Sequence, residues 1–119
     1  MKVVLIVEDN FPNYLLMKAY MSDINIVTLL AKNGLEAVDY VRNTADISLV
    51  LMDLQMPEMD GFYATKIIKT IRPELPVIAQ TAFFYNNAQE AILDHGFSDY
   101  LRKPYSAEEL VNAVNKFIL

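Results

Sequence analysis

The sequence predicts a single-domain α/β protein with a doubly wound (βα)5 fold and a five-stranded parallel sheet. Short apolar blocks alternate along the chain with segments of helical spacing, which is the βα pattern. The blocks are continuous and partly β-branched, as is typical of strands buried on both faces of a parallel sheet. The 119 residues have the usual length of one domain, and no linker, repeat or low-complexity stretch divides them. We therefore predict one domain over residues 1–119.

The predicted strands are short apolar blocks bounded by polar or turn residues. The fifth block is the weakest, because it consists of Tyr100 and Leu101 alone. The blocks cover residues 3–7, 26–30, 49–52, 77–79 and 100–101.

The segments between the blocks place apolar residues three and four positions apart, which predicts a helix after each strand. Pro12 suits a first helical turn, Gly96 suits the position after a helix, and "SAEE" at residues 106–109 is a capping box. The apolar stripes pair Leu16 with Tyr20, Leu35 with Val38, Ala64 with Ile67, Ile68 and Ile71, Ala88 with Ala91 and Ile92, and Leu110 with Val111, Val114, Phe117 and Ile118.

Charge and composition exclude several classes of protein. The net charge of -5 argues against general affinity for nucleic acid or for anionic membranes. The chain has no Cys, which excludes disulfides and thiolate chemistry and fits a reducing compartment. The start "MKVVLIVEDN" is too short an apolar run for a signal peptide or a membrane span. We expect a cytoplasmic protein that does not insert into membranes.

Polar side chains follow four of the five predicted strands. In an open parallel sheet, ligands bind beyond the carboxyl ends of the strands, near the point where the strand order reverses. Three acids, an amide, a hydroxyl and an ammonium are expected at this edge: Glu8 and Asp9 after the first strand, Asp53 after the third, Gln80 and Thr81 at the fourth, and Lys103 after the fifth.

These residue types predict a site for phosphoryl transfer. Each close pair of carboxylates repels by about 4 kcal/mol at the effective dielectric constant near a protein surface. Lys103 supplies one positive charge, and Mg²⁺, which prefers oxygen ligands, would supply the rest. A carboxylate such as Asp53 can act as a nucleophile and form an aspartyl phosphate. The Lys103 ammonium and the Thr81 hydroxyl would then stabilise the phosphoryl oxygens.

Each of these residues also has a simpler interpretation. Glu8 and Asp9 could be acids that favour a helix N-terminus, and Asp53 could cap the turn through Met56 and Pro57. Thr81 could be a satisfied loop hydroxyl, and Lys103 a solvated surface charge. Their joint placement on four strand ends is what favours a functional pocket.

Four stretches of the sequence resemble the motifs of one family. They are "LIVEDN" at residues 5–10, "VLMDLQMPEMDG" at 50–61, "IAQTA" at 78–82 and "YLRKPY" at 100–105. From end to end the chain resembles a response-regulator receiver domain of two-component signalling. The resemblance implies the flavodoxin-like strand order 2-1-3-4-5.

The resemblance also implies roles for individual residues. Asp53 resembles the phosphoacceptor, and Asp9 resembles a direct Mg²⁺ ligand, with Glu8 acting nearby or through water. The backbone carbonyl of Gln55 would complete the protein's share of the metal shell. Lys103 resembles the residue that pairs with Asp53 or with its phosphoryl oxygens, and by analogy the bond between Lys103 and Pro104 is expected to be cis.

Thr81 and Tyr100 resemble the pair of switch residues, which move together on phosphorylation and reshape the face made by the fourth helix, fifth strand and fifth helix.

Three positions depart from the commonest pattern. Glu8 stands where many receivers have Asp, and Gln80 stands at a site that is usually apolar, so Gln80 is expected to need a polar partner. Phe83 is bulky for its position and predicts a long-lived phosphoryl group.

The expected partners are proteins. A receiver takes its phosphoryl group from a sensor histidine kinase or a histidine phosphotransfer protein, and it acts on a downstream protein or relays the group. We predict that Leu16 and Tyr20 face the sheet, so that Phe11, Tyr14 and Leu15 lie on the solvent side of the first helix and dock the phosphohistidine protein.

Three other functions fit the sequence less well than a phosphorylated receiver. An FMN-binding protein of the same fold class would need a phosphate-binding loop after the first strand, where "EDNFPN" would repel phosphate. A receiver-like module that is never phosphorylated would not need the full set of pocket residues. A phosphatase-type enzyme would need a second acid where Gln55 stands. We therefore expect no enzyme activity beyond self-catalysed phosphorylation and dephosphorylation, in either a stand-alone receiver or the receiver of a hybrid sensor kinase.

Overall fold

The computed structural model describes residues 1–56, 59–82 and 88–118, with the side chains of 88 and 89 excluded. Within these residues, five strands alternate with five helices, which confirms the predicted fold class. Their bounds are β1 Lys2–Val7, α1 Phe11–Tyr20, β2 Ile26–Ala31, α2 Gly34–Asn43, β3 Ile47–Asp53, α3 Gly61–Ile71, β4 Val77–Thr81, α4 Ala88–Asp94, β5 Asp99–Arg102 and α5 Ala107–Ile118. No helix in the described part of the chain is both long and apolar enough to cross a membrane.

The strands form one parallel sheet in the order β2-β1-β3-β4-β5, as the resemblance implied. The order reverses between β1 and β3, so their carboxyl ends lie side by side, with Val7 opposite Met52. The register also places Asp53, the last residue of β3, opposite Gln80 of β4. The acids that follow β1 and β3 therefore meet at one edge of the sheet.

Both faces of the sheet are covered by helices, which explains why the strand sequences are continuously apolar. Alternate residues of a strand point to opposite faces. On one face, Leu5 and Met52 pack with α2, α3 and α4. On the other, Ile6 and Leu51 pack with α1 and α5. We call these the α2–α4 face and the α1/α5 face.

The predicted orientation of α1 was wrong at two positions. Tyr14, expected on the solvent side, is only 8% exposed, whereas Leu16, expected to face the sheet, is 49% exposed. The buried stripe runs through Tyr14 and Met17 instead. Tyr14 can be buried because its hydroxyl lies 3.1 Å from the Thr28 hydroxyl of β2, which gives its polar end a partner. Phe11 and Leu15 are exposed, as predicted for them, and Tyr20 is half-buried.

The helix ends follow the predicted local signals. The Asn10 side chain caps α1 ahead of Pro12, accepting a hydrogen bond from the backbone N–H of Asn13 at 3.0 Å. The capping box forms at α5, where Ser106 Oγ accepts from the Glu109 N–H at 3.1 Å and Glu109 Oε1 accepts from the Ser106 N–H at 3.2 Å. Gly96 follows α4 with a φ of 90°, a conformation that favours glycine.

The start of α3 packs closely against the end of β3. A Cβ atom added at Gly61 would lie 2.6 Å from the backbone oxygen of Asp53 and 2.9 Å from a methyl carbon of Leu54. Backbone cannot yield as a flexible side chain can, so only glycine allows this approach. The contact fixes the backbone that carries the Asp53 carboxylate.

We predict that Gly61→Ala destabilises the protein by about 1–3 kcal/mol, the usual range for overpacking, although alanine is the better helix former. The measurement is the free energy of unfolding from urea titration. The matched control is Lys66→Ala, on an exposed position of the same helix, which should change stability little. Equal stability of Gly61→Ala and wild type would contradict the predicted clash.

Candidate functional site

Three carboxylates meet at the carboxyl edge of the sheet, as the sequence predicted. One carboxylate oxygen from each of Glu8, Asp9 and Asp53 lies within 4.8 Å of the others. Glu8 is 2% exposed and Asp53 is 3% exposed, whereas Asp9 is exposed to solvent. Glu8 and Asp53 belong to the α1/α5 face, because they continue the alternation of Ile6 and Leu51. The cluster thus combines two buried acids with one that solvent reaches.

The Asp53 carboxylate is held by two contacts. Its Oδ1 accepts a hydrogen bond from the backbone N–H of Gln55 at 3.0 Å, and its Oδ2 lies 3.3 Å from the Lys103 ammonium. The Lys103–Pro104 bond is cis, as the resemblance implied. The backbone N–H of Lys103 donates to the Thr81 carbonyl at 2.8 Å and so ties β5 to the end of β4. Lys103 is the positive charge of the site.

Glu8 is the least satisfied acid of the site. Its Oε2 accepts from the backbone N–H of Asn10 at 3.2 Å, but its buried Oε1 has no hydrogen-bond partner among the described residues. The Lys103 ammonium lies 3.9 Å from that oxygen. Burial, followed by the negative charge of Asp53, raises the pKa of Glu8 from 4.5 to about 7.

The donor set fits a divalent cation of the Mg²⁺ type. Three carboxylates face one ammonium, so the ionised cluster has an excess of negative charge. The unpartnered Glu8 oxygen and the solvent-exposed Asp9 provide the hard oxygen ligands that Mg²⁺ prefers, on a side open to water. The cluster therefore suits this ion chemically.

The Gln55 side chain makes contacts that the sequence did not predict. Its Nε2 donates to Thr81 Oγ1 at 3.1 Å, and its Oε1 accepts from the backbone N–H of Ala82 at 3.3 Å. The resemblance had assigned a role only to the backbone carbonyl of Gln55. The sequence signal for these contacts was the side-chain amide two residues after Asp53, because an amide can donate and accept hydrogen bonds at the same time.

Gln80 has the polar partner that we expected. It is fully buried on the α1/α5 face, and the hydroxyl of Tyr105 donates to its Oε1. Burial and the negative charges of Glu8 and Asp53 raise the pKa of the Tyr105 phenol, which stays protonated and able to donate. Tyr105 was not among the site residues predicted from the sequence. Its signal was a hydroxyl-bearing ring directly after "KP".

The two expected switch residues lie on neighbouring strands. Thr81 ends β4 in the alternation of Val77 and Ala79, and Tyr100 packs against the same α2–α4 face from β5. Thr81 is 2% exposed, and Tyr100 is half-buried. Pro57 and Phe83, on which the predicted turn and the predicted phosphoryl lifetime depend, lie outside the described residues.

A groove beside the acids connects α1 to the loop after β5. It has a volume of about 230 Å³, and the exposed side chains of Phe11 and Leu15 lie on the same helix that forms its wall. The groove is lined by Glu8, Asn13, Leu16, Met17, Tyr20, Lys103, Pro104 and Tyr105.

The family model for the response regulator receiver domain matches residues 4–115. The chain belongs to this family. It is therefore a receiver domain of two-component signal transduction. The strand order of the sheet brings the acidic cluster together at one edge, where Lys103 contacts Asp53.

Relatives of this receiver occur both as separate proteins and within longer ones. It is 39% identical over 119 residues to the sensor protein GacS of Pseudomonas syringae pv. syringae, covering 96% of this chain but only 13% of GacS. It is 36% identical over 120 residues to the polar-differentiation response regulator DivK of Brucella anthropi, covering 98% of this chain and 96% of DivK.

Two solved structures resemble the receiver closely. The receiver domain of the sensor histidine kinase PA1611 from Pseudomonas aeruginosa has a magnesium ion coordinated in its active-site cleft. It superposes with a TM-score of 0.88 at 30% identity, covering 98% of this chain and 97% of that one. The receiver domain of Ssk1 from Saccharomyces cerevisiae, solved with the histidine phosphotransfer protein Ypd1, matches with a TM-score of 0.88 at 30% identity, covering 98% and 88%.

We predict that, without divalent cations, the receiver loses stability as the pH rises through about 7. The folded protein binds the Glu8 proton more tightly than the unfolded chain, in which the pKa of Glu8 is near 4.5. The resulting stabilisation is fully present below about pH 4.5 and is lost as the pH rises to about 7, where Glu8 ionises in the folded protein. The shift corresponds to at most about 3 kcal/mol. The measurement is the free energy of unfolding at pH 5 and at pH 8.

Two variants separate Glu8 from the other titrating groups. Glu8→Gln cannot ionise and should show a weaker pH dependence. Glu108→Gln changes an exposed acid on α5 and should keep the wild-type dependence. The same pH dependence in Glu8→Gln as in wild type would contradict the assignment to Glu8.

Proposed function

We propose that this receiver accepts a phosphoryl group from the phosphohistidine of a partner protein onto Asp53 and thereby switches a protein-binding surface. One observation carries the proposal: the Asp53 carboxylate is almost fully buried, yet it lies 3.3 Å from the Lys103 ammonium and beside two further acids. A purely structural ion pair would not need Glu8 and Asp9 next to it, since each adds repulsion.

In the transfer, an oxygen of the Asp53 carboxylate attacks phosphorus, the new O–P bond forms, and the P–N bond to the histidine breaks. The electron pair of that bond leaves with the imidazole. The contact between Gln55 N–H and Oδ1 orients the carboxylate, which matters because phosphoryl transfer depends mainly on positioning. Lys103 moves from the carboxylate to the phosphoryl oxygens, whose charge it balances.

The metal site supports the same chemistry. Glu8, Asp9, Asp53 and the backbone carbonyl of Gln55 would hold Mg²⁺, which when bound neutralises charge on the phosphoryl oxygens. The magnesium ion in the PA1611 receiver supports this choice of ion. Because Glu8 would be ionised as a ligand, we expect metal affinity to rise with pH through about 7.

The switch would use Thr81 and Tyr100. A phosphoryl group adds a charge of about -2 and strong acceptor oxygens, so it attracts the Thr81 hydroxyl. Thr81 and Tyr100 share the α2–α4 face, so movement of the threonine frees space into which the Tyr100 ring turns. The face formed by α4, β5 and α5 would change shape, and a downstream protein would read it. A nearly complete shift needs a differential affinity of about 5.5 kcal/mol, which the phosphoryl group and that protein would share.

The phosphohistidine partner would dock on α1. Phe11, Leu15 and Leu16 are large apolar side chains that are 56%, 48% and 49% exposed, and Leu16 lines the groove that reaches Lys103. Apolar residues grouped beside a reactive site favour a protein partner over scattered exposure. The Ssk1 receiver was solved with the phosphotransfer protein Ypd1, which supports a partner that is a sensor histidine kinase or a histidine phosphotransfer protein.

We expect intact mass to show one phosphoryl adduct after incubation with acetyl phosphate and Mg²⁺, and none after chelation of the metal. Asp53→Asn should remove the adduct completely, because the amide cannot act as the nucleophile. Asp39→Asn, an exposed acid on α2, should keep it. An adduct of undiminished yield on Asp53→Asn would refute Asp53 as the acceptor.

We predict that Leu15→Ala slows transfer from a phosphohistidine protein about 5- to 10-fold at low receiver concentration, the effect of truncating one of the minority of interface residues that carry most of the binding energy. Phosphorylation by acetyl phosphate should not change, because a small donor needs no docking surface. Leu35→Ala, at an exposed position of α2 on the other face of the sheet, is the control. Docking on α1 would be excluded by equal transfer rates for all three proteins.

A further inference from the structure

The Gln55 side chain connects the loop after β3 to the end of β4. Its Nε2 donates to Thr81 Oγ1 at 3.1 Å, while its Oε1 accepts the backbone N–H of Ala82 at 3.3 Å. The backbone N–H of the same residue holds Asp53 Oδ1 at 3.0 Å. One residue therefore contacts the acceptor carboxylate through its backbone and the end of β4 through its side chain.

We propose that the Gln55 amide occupies the hydrogen-bonding groups at the end of β4 in the resting state and competes there with the phosphoryl group. The proposal rests on the proposed function, since it assumes that Asp53 is phosphorylated. Gln55 acts as a positioning residue, because its side chain acts through Thr81 and Ala82 and leaves the transferred group untouched. Its amide holds the resting arrangement, and phosphorylation replaces it.

The chemistry of the Ala82 contact supports competition, whereas at Thr81 the amide acts by holding the position of the hydroxyl, whose oxygen accepts from Gln55 Nε2. A backbone N–H has one hydrogen, so Ala82 cannot give a full hydrogen bond to Gln55 Oε1 and to a phosphoryl oxygen at once. A charged phosphoryl oxygen forms bonds about twice as strong as those of a neutral amide, so the exchange is favourable once Asp53 is modified.

The exposure of the bridge makes the exchange easy. Gln55 and Ala82 are exposed, whereas Thr81 is buried, so water can solvate the released amide at little cost. A buried bridge would leave an unsatisfied amide when it opened. The exposed bridge therefore biases the equilibrium between the resting and switched arrangements without locking it.

Loss of the bridge should speed phosphorylation. If the amide stabilises the resting arrangement, its removal raises the population of the arrangement in which Thr81 and Ala82 are available to the phosphoryl group. We expect the initial rate with acetyl phosphate and Mg²⁺ to rise about five-fold for each net hydrogen bond lost. The Ala82 amide of the unphosphorylated protein should exchange its hydrogen faster, and its ¹⁵N–¹H resonance should move toward its position in the phosphorylated wild type.

The experiment compares Gln55→Met with Gln55→Ala. Methionine keeps the length of the side chain but has neither amide group, so the two variants separate hydrogen bonding from steric access to Asp53. Asn43→Ala serves as the control. It removes an exposed amide that donates to the Asp39 carbonyl at 2.9 Å, at the end of α2 that precedes β3, whereas Asp53 lies at the opposite end of β3. Backbone atoms of Gln55, which hold Asp53, are present in all variants.

Faster phosphorylation and faster Ala82 amide exchange in both Gln55 variants, but not in Asn43→Ala, would support the proposal. Three results would overturn it: unchanged values in Gln55→Met, a rate increase in Gln55→Ala alone, or slower phosphorylation, which would mean that Gln55 prepares Thr81 for the phosphoryl group. Wild type that takes no phosphoryl group would instead refute the proposed function. The Ala82 exchange measurement would still test the bridge in that case.

Discussion

The repulsion among the carboxylates at the end of the sheet is the constraint on which the rest of the structure depends. Each close pair costs about 4 kcal/mol near a surface, which is comparable with the whole stability of a small domain at about 5–15 kcal/mol. One ammonium, on Lys103, offsets part of this cost. The arrangement persists because β1 and β3 are buried neighbouring strands, and their hydrogen-bonded register fixes the positions of Glu8 and Asp53. The core thus stabilises a site that is unfavourable by itself, and the cation proposed for the site would relieve the repulsion.

The alternation of side chains along the strands separates the two buried acids from the two residues proposed as the switch. Glu8, Asp53 and Gln80 belong to the α1/α5 face, beside the helix that carries the exposed apolar residues. Thr81 and Tyr100 belong to the α2–α4 face. A phosphoryl group added on one side must therefore act around the end of β4 to change the other side. Gln55 connects the two sides, because it contacts Asp53 through its backbone and Thr81 through its side chain.

Much of the fold could be predicted because its signals are local. Continuous apolar blocks, caps and turn residues identified all five βα units, and strand ends gave the residues of the acidic edge. The phase of α1 could not be predicted, because Leu15, Leu16 and Met17 are consecutive apolar residues and several helix faces satisfy the spacing. A long-range contact, the bond between Tyr14 and Thr28, decided it. The contacts of Gln55 and Tyr105 were missed for the same reason, since each depends on a residue more than twenty positions away.

The distribution of rigid and exposed parts indicates where receivers of this kind can differ in partner choice. The acceptor backbone is fixed by the contact between Gly61 and the Asp53 carbonyl, and the chemistry allows little change in the residues around it. Phe11, Leu15 and Leu16 contribute little to the core, since about half of each is exposed. If the partner docks on α1 as proposed, substitutions there would alter its contacts at small cost in stability, whereas substitutions in the acidic pocket would alter the proposed reaction itself. On the proposed function, the surface of α1 specifies which phosphohistidine protein reaches the pocket, so one pocket can serve receivers in different protein contexts.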